Sequence, residues 1–295
     1  MKEETEIPKN ATHISYSEFS KFQQCPHLHL IMYYLKLDKE PPSIHLYFGD
    51  AIHSALERTL KEDIDVKERI RHFRYVFKKH MMDKMRDTPE FKDTEDFLDQ
   101  GQNILETLSI DDILKDYEVV SVEEKLYENL YKNFYFKGFI DLVLKHKKSS
   151  KYKIIDWKTS SEAWKLQYKL SDEVFQAQMR FYKYFWARKN NIALDEIDCQ
   201  YIVLNRLKNK KNPMGKYGEP QYIGIESTQT EIKQSLEKLS ASIKMIHITR
   251  QFDKVKHFGN EKRGCMFCKF KGNCHPLCNS QYEQYKQLLK QHKVA

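Results

Sequence analysis

One predicted β-hairpin constrains the fold of this chain more than any other part of its sequence. Its first strand is apolar and covers residues 136–146, and after a short polar turn a second strand covers residues 151–158. Pairing the strands around the centre of the turn places Asp141 opposite Asp156. Because side chains alternate along a strand, Asp156 and Lys158 should share one face of the hairpin.

The hairpin gathers two carboxylates and an ammonium in an otherwise apolar element. Carboxylates directly opposite each other repel, and a chain tolerates such a pair when a cation lies between them. Clustered carboxylates suit hard cations such as Mg²⁺ or Mn²⁺. Asp and Lys in strands are often only solvated edge residues, but the flanking apolar side chains leave little exposed surface here. The hairpin therefore predicts a metal site.

Bulk properties bound the class of protein. A length of 295 residues allows one large domain or two small ones. The net charge of +8, from 50 Lys and Arg against 42 Asp and Glu, fits a polyanionic partner. No apolar run is long enough to span a bilayer, and the polar start resembles neither a signal peptide nor a transit peptide. We expect a soluble, intracellular, cytoplasmic protein, and the Lys-, Asn- and Tyr-rich composition would suit an AT-rich genome such as that of a phage.

The chain is expected to form one domain. A capping-box pattern starts a helix near Ser15, and Asp50 is the expected N-cap of another. Ser171 is the expected cap of a later helix that contains Gln178. The segments follow in chain order: a flexible tail over residues 1–12, a single domain over 13–280 that includes a helical cap over 60–116, and a basic segment over 281–295.

Several polar residues outside the hairpin are candidates for the same site. On the strand before the hairpin, Glu124 falls on the apolar face, whereas Glu123 reads as its solvated neighbour. Gln178 lies inside an apolar helical stripe with Tyr182 one turn beyond, and a buried amide needs partners. His53 lies at the edge of another apolar stripe. From the residues alone, His53 and Gln178 are as well explained by structural roles.

A basic loop between two later predicted strands is a candidate nucleic-acid contact. Such a loop is usually only solvated, but five cations with one Tyr also suit a loop that follows phosphates. The cations are Arg206, Lys208, Lys210, Lys211 and Lys216.

A cysteine cluster near the end of the chain is a strong metal signal. The spacing C-x2-C-x5-C-x3-C places Cys265, Cys268, Cys274 and Cys278 within one short segment. In a reducing compartment, cysteines bind metal or stay free rather than form disulfides. Zinc held by these four residues is one reading, and an iron–sulfur cluster is the other.

Taken together, these motifs resemble the RecB-like nucleases of the PD-(D/E)XK superfamily, in the iron–sulfur branch that includes AddB-type nuclease domains and the CRISPR-associated adaptation nucleases. The resemblance covers nearly the whole chain. The matching motifs are ISYSEFSKFQQCP with Cys25, GDAIHSALE with His53, GFIDLV with Asp141, DWKT with Asp156 and Lys158, QMRFY with Gln178 and Tyr182, and C-x2-C-x5-C.

The resemblance implies a restriction-endonuclease-like α/β fold, with a mixed central sheet flanked by helices. It implies a metal-dependent DNA nuclease, with Gln178 and Tyr182 positioning the strand or Lys158. The implied Mg²⁺ or Mn²⁺ ligands are His53, Asp141, Asp156, Glu124 and the Trp157 carbonyl, and Glu123 and Glu124 both remain possible alignments. The implied 4Fe-4S ligands are Cys25, Cys265, Cys268 and Cys274.

We expect an exonuclease acting on DNA ends or single strands in recombination, repair or replication. The chain has no Walker motif, so any helicase would be a separate partner. Two alternatives remain open from the sequence. One is a spacer-processing nuclease of CRISPR adaptation, and the other is a non-catalytic DNA-binding subunit of a helicase–nuclease complex.

Overall fold

The computed structural model describes residues 12–34, 36, 43–84, 93–206 and 219–248. The chain forms two compact units. The larger unit is drawn from the described residues within 40–126 and 139–229, and the smaller unit from the remaining described residues. The expected single domain over residues 13–280 remains a prediction.

The described elements run in this order: β1 (Thr12–Ser15), α1 (Tyr16–Gln24), α2 (Pro26–His29), a π-helical turn (Leu30–Tyr34), α3 (Ile44–Glu62), α4 (Val66–Lys84), α5 (Thr94–Thr107), α6 (Ile110–Leu114), β2 (Tyr117–Tyr131), β3 (Phe134–His146), β4 (Tyr152–Ser160), α7 (Leu166–Leu170), α8 (Glu173–Asn190), a 3₁₀ turn (Leu194–Glu196), β5 (Ile197–Asn205), β6 (Gln221–Gly224) and α9 (Gln229–Ile248).

In the smaller unit, β1 runs parallel to the first residues of β3. Ser15 then caps α1, since its Oγ accepts a hydrogen bond from the Glu18 N–H at 3.1 Å, as the capping-box pattern predicts. Gln23 of α1 donates a 2.8 Å hydrogen bond to Ser242 of α9. This bond links helices that are more than 200 residues apart in sequence.

The larger unit contains a mixed sheet flanked by helices, as expected. β3 is antiparallel to β4, β4 is parallel to β5, and β5 is antiparallel to β6. Residues 201–204 of β5 are fully buried, as expected for a central strand covered on both faces. Helices α3, α4 and α5 cover one face through a core that includes Trp157 and Ile155, and α8 lies on the other.

The predicted register of the hairpin is confirmed. The His146 N–H donates to the Lys151 carbonyl at 2.8 Å, and the paired strands run as far as Leu142 with Ile155. The next step of this register is Asp141 with Asp156. The turn and the apolar pattern therefore fixed the positions of the two carboxylates correctly.

Two expected helix caps are wrong. Asp50 lies inside α3, which begins six residues earlier, after Ser43. The N-cap of α8 is Asp172, whose side chain accepts the N–H groups of Val174 and Phe175, rather than Ser171. Within the described ranges, no helix combines the length and the apolar character that a membrane span requires.

Candidate active site

Three potential ligands from three different elements meet in the larger unit. His53 comes from α3, Glu123 from β2 and Asp141 from β3. Their ligand atoms all lie within 4.8 Å of one another, and His53 Nδ1 is 3.3 Å from Asp141 Oδ1. One imidazole and two carboxylates at this separation can share a divalent cation.

Asp141 lies where the ladder between β3 and β4 ends. Its Oδ2 accepts a 2.7 Å hydrogen bond from the backbone N–H of Trp157, and its other oxygen faces His53. The carboxylate thus satisfies a buried donor of β4 with one oxygen and presents the second to the ligand group. This contact also fixes the peptide that joins Asp156 to Trp157. The Trp157 carbonyl, which the resemblance implies as a further ligand, belongs to the next peptide.

Neighbouring glutamates on β2 have different environments. Glu123 adopts a left-handed backbone conformation with φ of 53°, which is uncommon for a residue other than glycine and is found in β-bulges. Its carboxylate joins His53 and Asp141. The sequence analysis favoured Glu124 for this position, and the structure places Glu123 there instead.

Glu124 is held by three donors. It accepts hydrogen bonds from Ser121 Oγ at 2.5 Å, from Trp186 Nε1 at 2.9 Å and from Lys189 Nζ at 2.8 Å. Burial raises the pKa of Glu124, but the hydrogen bonds outweigh burial and the net pKa is lowered. Glu124 is therefore a satisfied, ionised carboxylate that links β2 to α8.

A second group lies on the face of β4 that α8 covers. Lys158 Nζ is 2.5 Å from Asp156 Oδ2, so the two residues share a face as predicted. The Lys158 side chain is about one-third exposed, whereas the Asp156 side chain is nearly fully buried. Oδ2 has this ammonium beside it but accepts no well-directed hydrogen bond among the described residues.

Gln178 reaches into this group rather than bonding only to backbone. Its Nε2 donates to Asp156 Oδ1 at 2.7 Å and to the Tyr182 hydroxyl at 3.1 Å. Its carbonyl oxygen accepts from the Tyr201 hydroxyl at 3.2 Å. The amide is thereby fixed in one orientation, and it fixes the Asp156 carboxylate in turn.

Charges in the two groups influence one another's pKa values. Burial raises the pKa of Asp156, Lys158 opposes this and the Asp141 charge adds to it, so that the net pKa is about 6. Burial together with Asp141 raises the pKa of Glu123 to about 7. Burial lowers the pKa of His53, but Asp141 and Asp156 outweigh it and bring the value to about 9. Such shifts are typical of functional sites.

These residues fit a divalent cation. A cation among Glu123, Asp141 and Asp156 would remove the like-charge repulsion that raises two of the pKa values. It would also satisfy the Asp156 oxygen that lacks a directed donor. The donor set of imidazole and carboxylates suits Mn²⁺ or Mg²⁺.

Arg206 does not lie on an exposed loop surface. It is buried, donates to Gln100 Oε1 at 3.0 Å and places its guanidinium 4.6 Å from the centre of the Phe97 ring. This environment is structural, because both its charge and its planar face contact the helical layer. The other loop cations, Lys208, Lys210, Lys211 and Lys216, lie outside the described residues.

Only part of the cysteine prediction falls on described residues. Cys25 is a buried, free thiol directly after α1. Cys199 is also a free thiol, and burial raises its pKa to about 12, as expected of a structural residue. The remaining cysteines, Cys265, Cys268, Cys274 and Cys278, lie outside the described residues.

Sequence reasoning left the role of Glu123 open and missed three further residues of this region. Glu123 was not favoured because strand alternation assigns it to the solvent face, and no glycine marks its left-handed backbone conformation. Tyr201, Trp186 and Lys189 were not singled out. Trp186 and Lys189 had a detectable signal, because they continue the helical spacing of Gln178 and Tyr182 on α8.

Comparison with known proteins bears on the family and the fold. No curated protein sequence matches the chain. The family model of the PD-(D/E)XK nuclease superfamily matches residues 13–275, a range that includes His53, Glu123, Asp141, Asp156 and Lys158. The mixed sheet flanked by helices is consistent with the restriction-endonuclease-like fold of that superfamily. The chain belongs to the PD-(D/E)XK nuclease superfamily.

Proposed function

We propose that this protein is a metal-dependent deoxyribonuclease that hydrolyses phosphodiester bonds. The observation that carries the proposal is the convergence of His53, Glu123 and Asp141 beside the Asp156–Lys158 pair. Superfamily membership supports a metal-dependent nuclease. The positive net charge of the chain supports a polyanionic substrate.

In this proposal His53, Glu123, Asp141 and Asp156 hold one or two Mg²⁺ or Mn²⁺ ions, and the Trp157 carbonyl adds a ligand. Glu123 takes the place that the sequence suggested for Glu124. The metal supplies an activated water and stabilises charge on the phosphate oxygens.

Lys158 would stabilise the negative charge that develops during hydrolysis. Its ammonium is partly exposed, so it can reach a substrate while Asp156 anchors it. It would donate hydrogen bonds to the attacking water and to the phosphate as negative charge develops. Gln178 and Tyr182 hold Asp156, and through it Lys158, in the required position.

The proposed substrate is a DNA end or a single strand, and the proposed reaction is exonucleolytic. Roles in recombination, repair or replication follow from the resemblance to RecB-like nucleases, as does a separate helicase or recombination partner. The predicted intracellular location fits these roles.

Digestion of matched substrates tests this function. Metal-stripped protein, purified without oxygen, would be mixed with end-labelled single-stranded DNA, double-stranded linear DNA, closed circular DNA and RNA, each with and without Mn²⁺. We expect metal-dependent loss of linear DNA, an intact circle and no cutting by Asp156→Asn. Cutting of the closed circle, which has no ends, would assign the protein as an endonuclease rather than an exonuclease.

A substrate panel also separates the alternatives. Trimming of DNA to a defined length would favour a spacer-processing nuclease of CRISPR adaptation. Tight DNA binding without cleavage of any substrate, in the presence of either metal, would contradict the enzyme and favour a non-catalytic subunit.

A structural cluster is a separate proposal. We propose that Cys25, Cys265, Cys268 and Cys274 bind a 4Fe-4S cluster that ties the two ends of the chain together, and closing so long a loop would remove much entropy from the unfolded chain. The burial of Cys25 is compatible with a ligand role. Protein purified without oxygen should be brown and should bleach in air. A colourless, zinc-loaded protein that depends on Cys278 would contradict the cluster.

A further inference from the structure

The Gln178–Tyr182 motif continues along α8. Gln178, Tyr182, Trp186 and Lys189 follow one another at intervals of four, four and three residues, so they lie along one side of the helix. The first two belong to the Asp156 hydrogen-bond group, and the last two donate to Glu124. One helix thus contacts both the strand that carries Asp156 and the strand that carries Glu123.

The contact with Glu124 is built for a single orientation. Trp186 Nε1 donates at 2.9 Å and Lys189 Nζ at 2.8 Å, to different oxygens of the same carboxylate. Ser121 Oγ adds a third donor from within β2. Lys189 also donates a 3.2 Å hydrogen bond to the Lys125 carbonyl, so it also binds the backbone of the residue that follows Glu124.

The residue before this contact has an unusual backbone. Glu123 has φ of 53°, a region that side-chain-bearing residues seldom adopt unless their surroundings impose it. Its carboxylate is the one that joins His53 and Asp141. An anchored Glu124 and Lys125 directly after Glu123 provide the surroundings that would impose this conformation.

We propose that Trp186 and Lys189 are positioning residues that set the metal affinity of the site, by holding Glu124 so that the Glu123 carboxylate faces His53 and Asp141. The inference rests on the proposed metal-dependent function. It assigns to α8 the task of aligning both carboxylate-bearing strands, and it extends the Q-x3-Y motif to Q-x3-Y-x3-W-x2-K in this chain.

Metal binding without DNA tests the inference directly. Calorimetric titration of metal-stripped protein with Mn²⁺ would compare the wild type with Lys189→Met, which keeps the length of the side chain but removes its charge and donors. We expect about 10-fold weaker binding, the effect typical of losing a group that orients a ligand. The Mn²⁺ concentration for half-maximal DNA cleavage should rise by the same factor, and saturating Mn²⁺ should restore most of the rate.

The direction of the change in Mn²⁺ affinity distinguishes a positioning role of Lys189 from a direct effect of its positive charge. Removing a positive charge near a cation site would by itself leave Mn²⁺ affinity equal or make it tighter. Equal or tighter binding by Lys189→Met would therefore overturn the proposal. If Lys189→Met does not fold, Trp186→Phe replaces it, because Phe keeps an aromatic ring but removes the indole donor, and the same weakening is expected.

Two controls complete the experiment. Lys189→Arg restores a cation and N–H donors and should bind Mn²⁺ nearly as well as the wild type. Asp172→Ala removes the N-cap of α8 without touching Glu124, so it destabilises the same helix and should leave Mn²⁺ affinity unchanged. Equal weakening by Asp172→Ala would assign the effect to helix stability and overturn the proposal. Absence of Mn²⁺ binding by the wild type would instead refute the proposed function.

Discussion

The adjacent glutamates of β2 should respond in opposite ways to the same substitution. In metal-free protein at pH 8, we expect Glu123→Gln to raise stability and Glu124→Gln to lower it. Burial and the neighbouring Asp141 charge raise the pKa of Glu123, whereas Glu124 accepts hydrogen bonds from Ser121, Trp186 and Lys189. The prediction follows from their environments and does not depend on enzymatic activity.

The size of the Glu123 effect follows from its pKa of about 7, against an ordinary value of 4.5. At about 1.4 kcal/mol per pKa unit, the difference would correspond to about 3 kcal/mol. Because Glu123 is only half-buried, solvent screening reduces this to about 1 kcal/mol. A raised carboxylate pKa removes stability as pH rises from 4.5 through 7, so Glu123→Gln should match the wild type at pH 5 and exceed it at pH 8.

The Glu124 effect should be larger and of opposite sign. Hydrogen bonds to a charged group contribute about 1.5–3 kcal/mol each, but the amide of Gln keeps one acceptor oxygen, so a total loss of about 2 kcal/mol is reasonable. Thermal unfolding at pH 5 and pH 8, with the metal removed by chelation, measures both variants, and a loss of this size should lower Tm by about 5 °C. Destabilisation by Glu123→Gln at pH 8 would refute the reasoning.

Four further results are expected. Lys158→Met should abolish cleavage and retain DNA binding in a gel-shift assay, and wild-type cleavage would exclude Lys158 from the chemistry. Mn²⁺ should support cleavage at lower concentration than Mg²⁺, because imidazole is a better ligand for Mn²⁺, and the reverse order would count against His53 as a ligand. Cys25→Ser should remove the brown colour of anaerobic protein, whereas Cys199→Ala should keep it. Gly101→Ala should cost about 3 kcal/mol or more, because its new Cβ would lie 2.0 Å from the Phe73 ring, whereas Gly224→Ala, with no atom within 4 Å of its new Cβ, should cost much less.

The sequence predicted the hairpin well because its register depends on local features. A polar turn and two apolar strands suffice to place Asp141 opposite Asp156, and the structure confirms that pairing register. The shared face of Asp156 and Lys158 follows from the same alternation. The relative positions of Asp156, Lys158 and the partner strand could therefore be predicted from the hairpin sequence alone.

The left-handed backbone of Glu123 on β2 could not be predicted in the same way. Side-chain alternation along the strand assigns Glu124 to the inner face. The left-handed backbone of Glu123 departs from that alternation. No Gly or Asn stands at this position to signal such a conformation, and the contacts with Trp186 and Lys189 join residues about sixty positions apart. Tertiary contacts, rather than local propensity, decide which glutamate joins the ligand group.

Arg206 and Asp50 illustrate two other limits. Arg206 reads as one of several loop cations, but it follows β5 directly and packs on Phe97 in the helical layer. Asp50 is of a residue type that often caps helices, yet α3 starts after Ser43. Ser43 was the better start signal, because serine is among the residues preferred at the N-cap.

The central claim is that this site hydrolyses DNA with a divalent cation. The most direct measurement is the single-turnover cleavage rate of end-labelled linear DNA by metal-stripped protein, before and after addition of Mn²⁺, for the wild type and Asp141→Asn. We predict no cleavage before addition, rapid cleavage by the wild type afterwards, and none by Asp141→Asn. Cleavage that persists in a chelator, or that Asp141→Asn leaves unchanged, would contradict the account.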